Sequence, residues 1–302
     1  MSAWRLAGGL AAVGAAGLAY AHLETKLFTL RRVTVPVLEA GERDLRVLHV
    51  SDLHLVPTQR RKIEWVRSLA ALEPDLVIDT GDNLAHPDAL GPLLHALEPL
   101  LDVPGAFVLG SNDYYSPTPK NPARYLLPDA RGPIRNVPDL PWEAMTDAMI
   151  DAGWVDLTNR RDDLVVRGHR IALVGVDDPH LDRDEFPATS VGDPAALRLG
   201  VTHAPYTRVL DQMHDDGADA IIAGHTHGGQ LCLPFYGALV TNCDVDRRRA
   251  RGLHGWPGAR PDEPGGEDST WLHVSAGAGT SPYAPVRFAC RPEATLITFT
   301  AR

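Results

Sequence analysis

The chain has few cysteines and no excess of positive charge, and both shortages narrow its possible functions. Only three cysteines occur among 302 residues, and no two of them have C-x-x-C spacing. The sequence therefore predicts neither a zinc ribbon nor a disulfide framework, although pairing of Cys232 with Cys243 stays open. The formal net charge of −10 disfavours nucleic acid as a partner, because binding its phosphates takes a basic footprint. A content of 44% hydrophobic and 23% charged residues predicts one large α/β domain, or at most two.

Charge is also missing near the N-terminus. The run from Leu6 to Ala21 is uncharged, rich in alanine, glycine and leucine, and preceded by Arg5. Its length is close to the ~17–25 residues that cross a bilayer, and it ends in small residues, as signal peptides do. We interpret residues 1–23 as a signal anchor or uncleaved signal-like segment, rather than a cleaved signal or a surface-packed helix. This interpretation predicts a membrane-associated protein held by a single N-terminal segment, with the side of the membrane open.

Side chains that bind metals follow five predicted strands, at the points where the strands end. His225 and His227 are the clearest, because they follow the apolar stretch 220–223 and are flanked by glycines. A lone histidine is usually an ordinary core or surface residue, but four more strand ends carry imidazole, carboxylate or amide groups. The residues concerned are Asp52, His54, Asp82, Asn83, Asn112, Asp113 and His203. Because ligands gather at the carboxyl ends of strands in α/β sheets, we expect one shared site.

The composition of this set predicts two divalent metal ions. The candidate ligands are Asp52, His54, Asp82, Asn112, His203, His225 and His227. They are too many for one tetrahedral or octahedral ion, but they suit two ions that share a bridging carboxylate. Mixed nitrogen and oxygen ligands without thiolate favour manganese, iron or zinc over calcium or magnesium.

The residues lie in five short blocks: Asp-x-His at 52–54, Gly-Asp-Asn at 81–83, Gly-Ser-Asn-Asp at 110–113, an isolated His203 and Gly-His-x-His at 224–227. The order of these five blocks resembles that of the calcineurin-like metallophosphoesterase superfamily. The run Gly-His-Thr-His-Gly-Gly-Gln at 224–230 is similar, more narrowly, to its bacterial membrane-associated branch. The resemblance runs from Leu45 to the C-terminus, so residues 45–302 would be the catalytic domain and residues 24–44 a linker with an edge strand. It implies an α/β fold: a four-layer α/β/β/α sandwich of two mixed sheets.

The resemblance also implies a reaction and a division of the ligands. Asp52, His54 and His227 would hold one ion. Asn112, His203 and His225 would hold the other, and Asp82 would bridge both. Two such ions can clamp the attacking and leaving oxygens of a displacement at phosphorus. The implied activity is hydrolysis of a phosphodiester or pyrophosphate bond by attack of a metal-bound hydroxide.

One block departs from the family pattern Gly-Asn-His-Asp, whose histidine is the presumed proton donor. Residues 110–114 read Gly-Ser-Asn-Asp-Tyr, so that histidine is missing. An ungapped alignment puts Ser111 in the ligand position and Asn112 in the acid position. A one-residue shift keeps Asn112 as ligand and puts Asp113 in the acid position. We favour the shift, since an amide oxygen is the better ligand, and expect catalytic roles for Asn112 and Asp113.

The proton donor nevertheless stays open. A carboxylic acid beside two dications would normally be ionised, which makes Asp113 a weak candidate. The other possible donors are a metal-bound water, Tyr114, Tyr115 and His180.

Two long irregular stretches interrupt the strands and helices. Residues 114–142 contain seven prolines, and we interpret this stretch as a lid in which Lys120 and Arg124 bind the substrate's phosphate or polar head group. A merely solubilising role for these cations is the alternative. Residues 244–270 carry four clustered arginines that could contact anionic lipid, although a solvated loop fits equally well.

The regular elements follow from periodicity. An edge strand is expected over Phe28–Leu38, helices over 60–72 and 87–100, a hairpin over 163–176, and three strands between Trp271 and Thr300. The alternation of strands and helices after Leu45 predicts parallel pairing.

These expectations favour an enzyme acting on a lipid- or envelope-related phosphate ester. The alternatives are a lipid-linked nucleotide-sugar pyrophosphatase, a soluble cyclic-nucleotide phosphodiesterase and a metal-binding, non-catalytic scaffold. The apolar N-terminus weighs against the soluble enzyme. The retained ligand residues weigh against the scaffold.

Overall fold

A computed structural model describes residues 3–119, 137–188 and 194–302. Lys120 and Arg124, with most of the expected lid, lie outside these ranges. The helices are α1 (Ala3–Glu24), α2 (Arg60–Ser68), α3 (Leu90–Leu101), α4 (Ser111–Tyr114), α5 (Trp142–Asp151) and α6 (Thr207–Asp215). The strands are β1 (Thr29–Leu38), β2 (Leu45–Val50), β3 (Leu76–Asp79), β4 (Gly105–Phe107), β5 (Val155–Asp156), β6 (Arg160–Val166), β7 (His169–Gly175), β8 (Leu197–Thr202), β9 (Ala220–Ala223), β10 (Cys232–Leu233), β11 (Gly237–Ala238), β12 (Gly252–Trp256), β13 (Thr270–Val274) and β14 (Glu293–Ala301).

Two six-stranded mixed sheets form the centre of the described fold. The first has the order β1-β14-β2-β3-β4-β5, and the second the order β12-β13-β9-β8-β7-β6. Strands β2 to β5 are parallel, as are β7, β8, β9 and β13. Strand β14 runs antiparallel to β2, and β12 and β6 run antiparallel to their neighbours. The two parallel blocks place many strand ends at one edge of each sheet.

The layers follow the order helix, sheet, sheet, helix. A core between the sheets joins Val47 and Ile78 of the first to Leu199 and Ile222 of the second. A second core packs α2, α3 and α5 on the outer face of the first sheet. A third core packs α6 on the second sheet. Burial on both faces explains why these strands are continuous apolar runs.

The C-terminal part differs from the sequence expectation. Only two strands, β13 and β14, lie between Trp271 and Thr300, rather than three. The intervening residues 275–292 pass along the strand ends, where Ala276 N–H donates to Glu293 Oε1 at 3.0 Å and Glu293 N–H donates to the Gly277 carbonyl at 2.9 Å. The irregular stretch 244–270 also contains strand β12, which its glycines concealed.

Helix α1 ends against the segment 285–290. The Arg287 N–H donates to the Ala21 carbonyl at 2.9 Å, and the buried Glu24 carboxylate accepts from Ala289 and Cys290 N–H at 3.1 and 2.7 Å. Among the described residues, we find no helix with the length and apolarity required to cross a bilayer.

Candidate metal centre

The ligand candidates sit on sharp turns directly after strands of both sheets. Asp52 and His54 follow β2, Asp82 follows β3, and His225 and His227 follow β9. All five have a positive φ, between 40° and 68°, a conformation that is uncommon outside glycine. Such backbone strain concentrates at functional sites, because the surrounding fold must enforce it. The turns aim neighbouring side chains at one place from both sheets.

The first group of converging atoms comes from three of the expected ligands. His54 Nε2 lies 3.2 Å from His227 Nε2, and His227 Nε2 lies 3.6 Å from Asp52 Oδ1. The ligand atoms of Asp52, His54 and His227 all lie within 4.8 Å of one another.

The second group lies on the other side of Asp82. His203 Nε2 is 3.6 Å from Asp82 Oδ1 and 3.2 Å from His225 Nδ1. The other oxygen of the same carboxylate, Asp82 Oδ2, lies 3.3 Å from His54 Nε2. The two oxygens of Asp82 therefore face two different sets of imidazoles.

The donor atoms at this site fit a metal ion. Asp52 Oδ1, which faces the imidazole of His227, is a buried atom without a hydrogen-bond partner among the described residues, although buried polar atoms are normally paired. Burial holds the pKa values of His54 and His227 well below the ordinary value, so both rings are neutral. Neutral imidazole is the form that binds metals.

The carboxylates and His203 are electrostatically linked. Burial raises the pKa of Asp82 to about 7. Burial alone would lower the pKa of His203, but the carboxylates of Asp82, Asp178 and Asp52 outweigh it and raise that pKa to about 9. This negative field favours any cation, whether a proton or a metal ion.

The block 110–114 forms the short helix α4 beside Asp82. The Asn112 backbone N–H donates to Asp82 Oδ1 at 2.6 Å. The Asn112 side-chain Nδ2 lies 3.4 Å from Ser111 Oγ, so the two alternative ligand side chains are neighbours at the same edge of the site.

Asp113 occupies a different place from the expected proton donor. Its carboxylate is completely buried and accepts backbone N–H groups of Asp82, Asn83 and Gly110, each at 2.8 Å. Both oxygens are thus occupied in holding α4 to the Asp82 turn. The geometry corrects the acid role that the shifted alignment gives to Asp113 and favours the ungapped alignment.

Other donor candidates differ in their access to the site. The Tyr114 hydroxyl is buried and donates to Asp177 Oδ1 at 2.9 Å, so its proton is already engaged. The His180 ring instead packs against His225, with 4.5 Å between ring centroids, and its Nδ1 lies 3.1 Å from the Tyr206 hydroxyl. His180 is therefore the alternative donor candidate that the structure brings to the metal centre.

The sequence analysis did not identify two residues that lie close to the candidate ligands. Asp178, which follows β7, is completely buried and helps to raise the pKa of His203. Arg287 is also completely buried; its guanidinium donates to the carbonyls of Ala276 and Gly279, both at 2.7 Å, and lies 3.4 Å from His227 Nδ1. Asp178 carries the general signal of a carboxylate after a strand, whereas nothing local marks Arg287.

The cysteines are free thiols. The sulfurs of Cys232 and Cys290 both pack on the His227–Gly228 turn, at 3.1 and 3.5 Å from the Gly228 carbonyl. The pairing of Cys232 with Cys243 that the sequence left open is not formed.

Comparison with known proteins agrees with this arrangement. A family model described as calcineurin-like phosphoesterase matches residues 45–229. The uncharacterized protein YpbG of Bacillus subtilis is 30% identical over 220 residues, which cover 72% of this chain and 71% of that protein. UDP-2,3-diacylglucosamine pyrophosphatase LpxG of Chlamydia trachomatis is 25% identical, over 91% of this chain and 90% of that one. Phosphodiesterase YaeI of Escherichia coli is 24% identical, over 93% and 92%.

The family match covers the strand ends that carry Asp52, His54, Asp82, His203, His225 and His227. Enzymes of this family use divalent metals, and the converging Asp and His atoms offer places for them. The chain belongs to the calcineurin-like phosphoesterase family and is a metal-dependent phosphoester hydrolase.

Proposed function

We propose that the protein hydrolyses a phosphodiester or pyrophosphate bond at a centre of two divalent metal ions. One observation carries the proposal: Asp82 directs its two oxygens at two separate groups of imidazoles, one with His54 and one with His203. A single ion would leave one group without a partner. The chemistry of the donors supports manganese, iron or zinc.

The ligand roles follow from this division. Asp52, His54 and His227 would hold one ion, His203 and His225 would hold the other, and Asp82 would offer one carboxylate oxygen to each. When bound, the two ions supply Lewis acidity to the phosphoryl group and activate a water molecule. The last ligand comes from α4, either the Asn112 amide or the Ser111 hydroxyl. Comparing the metal content of the Asn112→Ala and Ser111→Ala variants decides between them, because only the variant that lacks the true ligand should bind less metal.

His180 is the proposed proton donor to the leaving group. It packs on His225 at the rim of the site, and the Tyr206 hydroxyl lies within hydrogen-bond distance of its Nδ1. This imidazole would replace the histidine that is missing from the block 110–114. Asp113 then acts as a positioning residue for the Asp82 turn.

The substrate class we propose is a lipid-linked phosphodiester or pyrophosphate. One relative, LpxG, is named as a pyrophosphatase of a diacylated nucleotide sugar. The hairpin β10–β11, which begins three residues after Gly229, exposes Phe235 and Tyr236, and Arg247 lies over the Tyr236 ring at 4.9 Å. Lys120 and Arg124, outside the described residues, are proposed to bind the phosphate or head group.

We also propose that the protein associates with a membrane, through helix α1 and this hairpin. Exposed Leu18 and Leu23 on α1 and the aromatic hairpin tip support the proposal. Phe235→Ser combined with Tyr236→Ser should weaken sedimentation with phosphatidylglycerol vesicles. Val165→Ser, which removes an exposed apolar side chain on β6, is the matched control. Equal sedimentation of all three proteins would contradict this contact.

Metal analysis followed by a substrate screen tests the function. Two ions per chain are expected by mass spectrometry, with hydrolysis of aryl diesters and lipid-linked pyrophosphates. One ion per chain with all ligands intact would contradict the dinuclear centre. Two ions without hydrolysis of any phosphate ester would favour the non-catalytic scaffold instead.

A further inference from the structure

A continuous line of buried side chains connects the two sheets and ends on Asp52. His273, on β13 of the second sheet, places Nδ1 3.1 Å from Nδ1 of His49, on β2 of the first. His49 Nε2 lies 2.9 Å from Thr80 Oγ1, Thr80 Oγ1 donates to Ser51 Oγ at 2.7 Å, and Ser51 Oγ donates to Asp52 Oδ2 at 2.5 Å. All five residues are at most 3% exposed.

The chemistry of these groups fixes the direction of every proton. An ionised carboxylate only accepts hydrogen bonds, so the Ser51 hydroxyl donates to Asp52. The Thr80 proton then goes to Ser51, so Thr80 must accept from His49 Nε2–H. Burial, together with the neighbouring His273 ring, holds the pKa of His49 far below its ordinary value, so this ring is neutral and its Nδ1 is an acceptor. His273 must therefore carry its proton on Nδ1, and all four donors point toward Asp52.

At the Asp52 end of this line, the two carboxylate oxygens have different surroundings. Oδ2 accepts from Ser51 and, at 3.0 Å, from the His225 backbone N–H, while Oδ1 accepts nothing among the described residues and faces His227. Gly224 covers the line: a Cβ there would lie 2.0 Å from Ser51 Oγ and 2.9 Å from Thr80 Oγ1. No larger residue fits at Gly224 without displacing these hydroxyls.

We propose that His273, His49, Thr80 and Ser51 form a positioning relay that fixes the orientation of the Asp52 carboxylate, with Oδ1 aimed at the metal centre. The inference rests on the proposed metal centre. Polar groups buried between two sheets lose their hydration, so a mere packing role would be met better by apolar side chains. A fully satisfied network, in contrast, specifies one orientation of its members.

Thr80→Val tests the relay, because valine keeps the shape of threonine and removes the hydroxyl. The matched control is Thr295→Val: Thr295 lies opposite His49 on the adjacent strand, and its buried hydroxyl has no partner among the described residues. Binding of Mn²⁺ to metal-free protein is measured by calorimetry. We expect Thr80→Val to weaken one of the two binding events about 10-fold or more, the range seen for residues that orient metal ligands. Thr295→Val should bind like the parent protein.

His49 variants separate positioning from folding. His49→Gln can still donate an amide N–H to Thr80, whereas His49→Leu cannot, so affinity should be lost in the leucine variant and largely kept in the glutamine variant. Unfolding of the metal-free variants by denaturant shows whether each is folded. Unchanged affinity in Thr80→Val, or an equal loss in Thr295→Val, would overturn the relay. Absence of a second binding event in the parent protein would instead overturn the dinuclear centre.

Discussion

At the scale of single residues, Asp82 is the side chain on which both metal positions depend. Its two oxygens lie 3.3 Å from His54 Nε2 and 3.6 Å from His203 Nε2. We expect Asp82→Asn to abolish turnover and lower metal content at both positions, because an amide brings no charge and only one acceptor oxygen. His54→Ala should disturb mainly one position. Metal content by mass spectrometry and hydrolysis of an aryl diester are measured together; full activity of Asp82→Asn would rule out the bridge.

Asp113 leads to a prediction about stability rather than catalysis. Its carboxylate accepts three buried backbone N–H groups, and each buried donor left unpaired costs about 1–3 kcal/mol. Asp113→Ala should therefore lower the free energy of unfolding by about 3 kcal/mol or more. Asp113→Asn should also destabilise, since its NH₂ group would face a backbone donor. Chemical denaturation measures the effect, and an Asp113→Asn protein of normal stability but low kcat would restore the acid role.

His180 leads to a prediction about leaving groups. A general acid contributes about 10²–10⁴-fold to rate when the departing oxygen is a poor leaving group. His180→Gln should therefore slow alkyl esters by about that factor and activated aryl diesters much less, without loss of metal. The measurement is log kcat against leaving-group pKa for the parent and the variant. Parallel lines would show that another group supplies the proton.

A site residue can be predicted from the sequence when the pattern that marks it lies within a few residues of it along the chain. His225 and His227 are recognisable because strand, glycine and imidazole are adjacent in the chain, and the geometry brings them to the expected place. The position of Asp113 depends on N–H groups that are up to 31 residues away. The relay from His273 to Asp52 joins strands of different sheets. Contacts of this kind have no period or spacing that a single sequence could reveal.

At the scale of elements, the turn after β13 closes directly on the metal centre. Gly277 has a φ of +66°, and a Cβ there would lie 2.5 Å from Asp52 Cβ. Gly277→Ala should therefore displace Asp52 and weaken metal binding. Gly153→Ala is the control, because Gly153 also has a positive φ, of +94°, but open space around its Cβ. Calorimetric Mn²⁺ binding separates the clash from backbone strain; equal affinities in both variants would contradict the contact.

Elements with a clear period are predicted well, and those shaped by tertiary contacts are not. The apolar face of α2, with Ile63 and Val66 buried, follows from its helical spacing. Strand β12 has glycines at 252 and 255 and lacks alternation, so only its pairing with β13 reveals it. The expected third strand within 271–300 does not form. The backbone carbonyls of Ala276 and Gly279 accept hydrogen bonds from the Arg287 guanidinium instead of pairing with a neighbouring strand.

At the scale of the whole molecule, two buried neutral histidines contribute a pH-dependent term to the stability of the fold. Burial lowers the pKa of His273 to about 3 and holds that of His49 well below its ordinary value. At these two positions the unfolded chain binds protons below pH 6.5 that the folded chain refuses, so their contribution to stability falls as pH falls from about 6.5 toward 3. The raised pKa values of the buried Asp82, Asp113 and Asp178 carboxyls act in the opposite direction. Each such histidine contributes about 1.4 kcal/mol per pH unit. Denaturant unfolding of the metal-free parent and of His49→Gln at pH 7, 6 and 5 tests this. The glutamine variant should lose less stability on acidification than the parent, and an identical pH dependence of the two proteins would contradict the histidine contribution.

The position of β14 has a consequence for how the protein is made. This strand, Glu293–Ala301, lies between β1 and β2 in the first sheet. Strands β1 and β2 follow one another along the chain, but in the sheet they are joined only through β14. A ribosome delivers the N-terminal part first, so β1 and β2 each keep an unpaired edge until residues 293–301 have been synthesised. Unpaired strand edges invite pairing with other chains. Nascent protein should therefore depend on holding chaperones until residues 293–301 have left the ribosome and β14 can pair with β1 and β2.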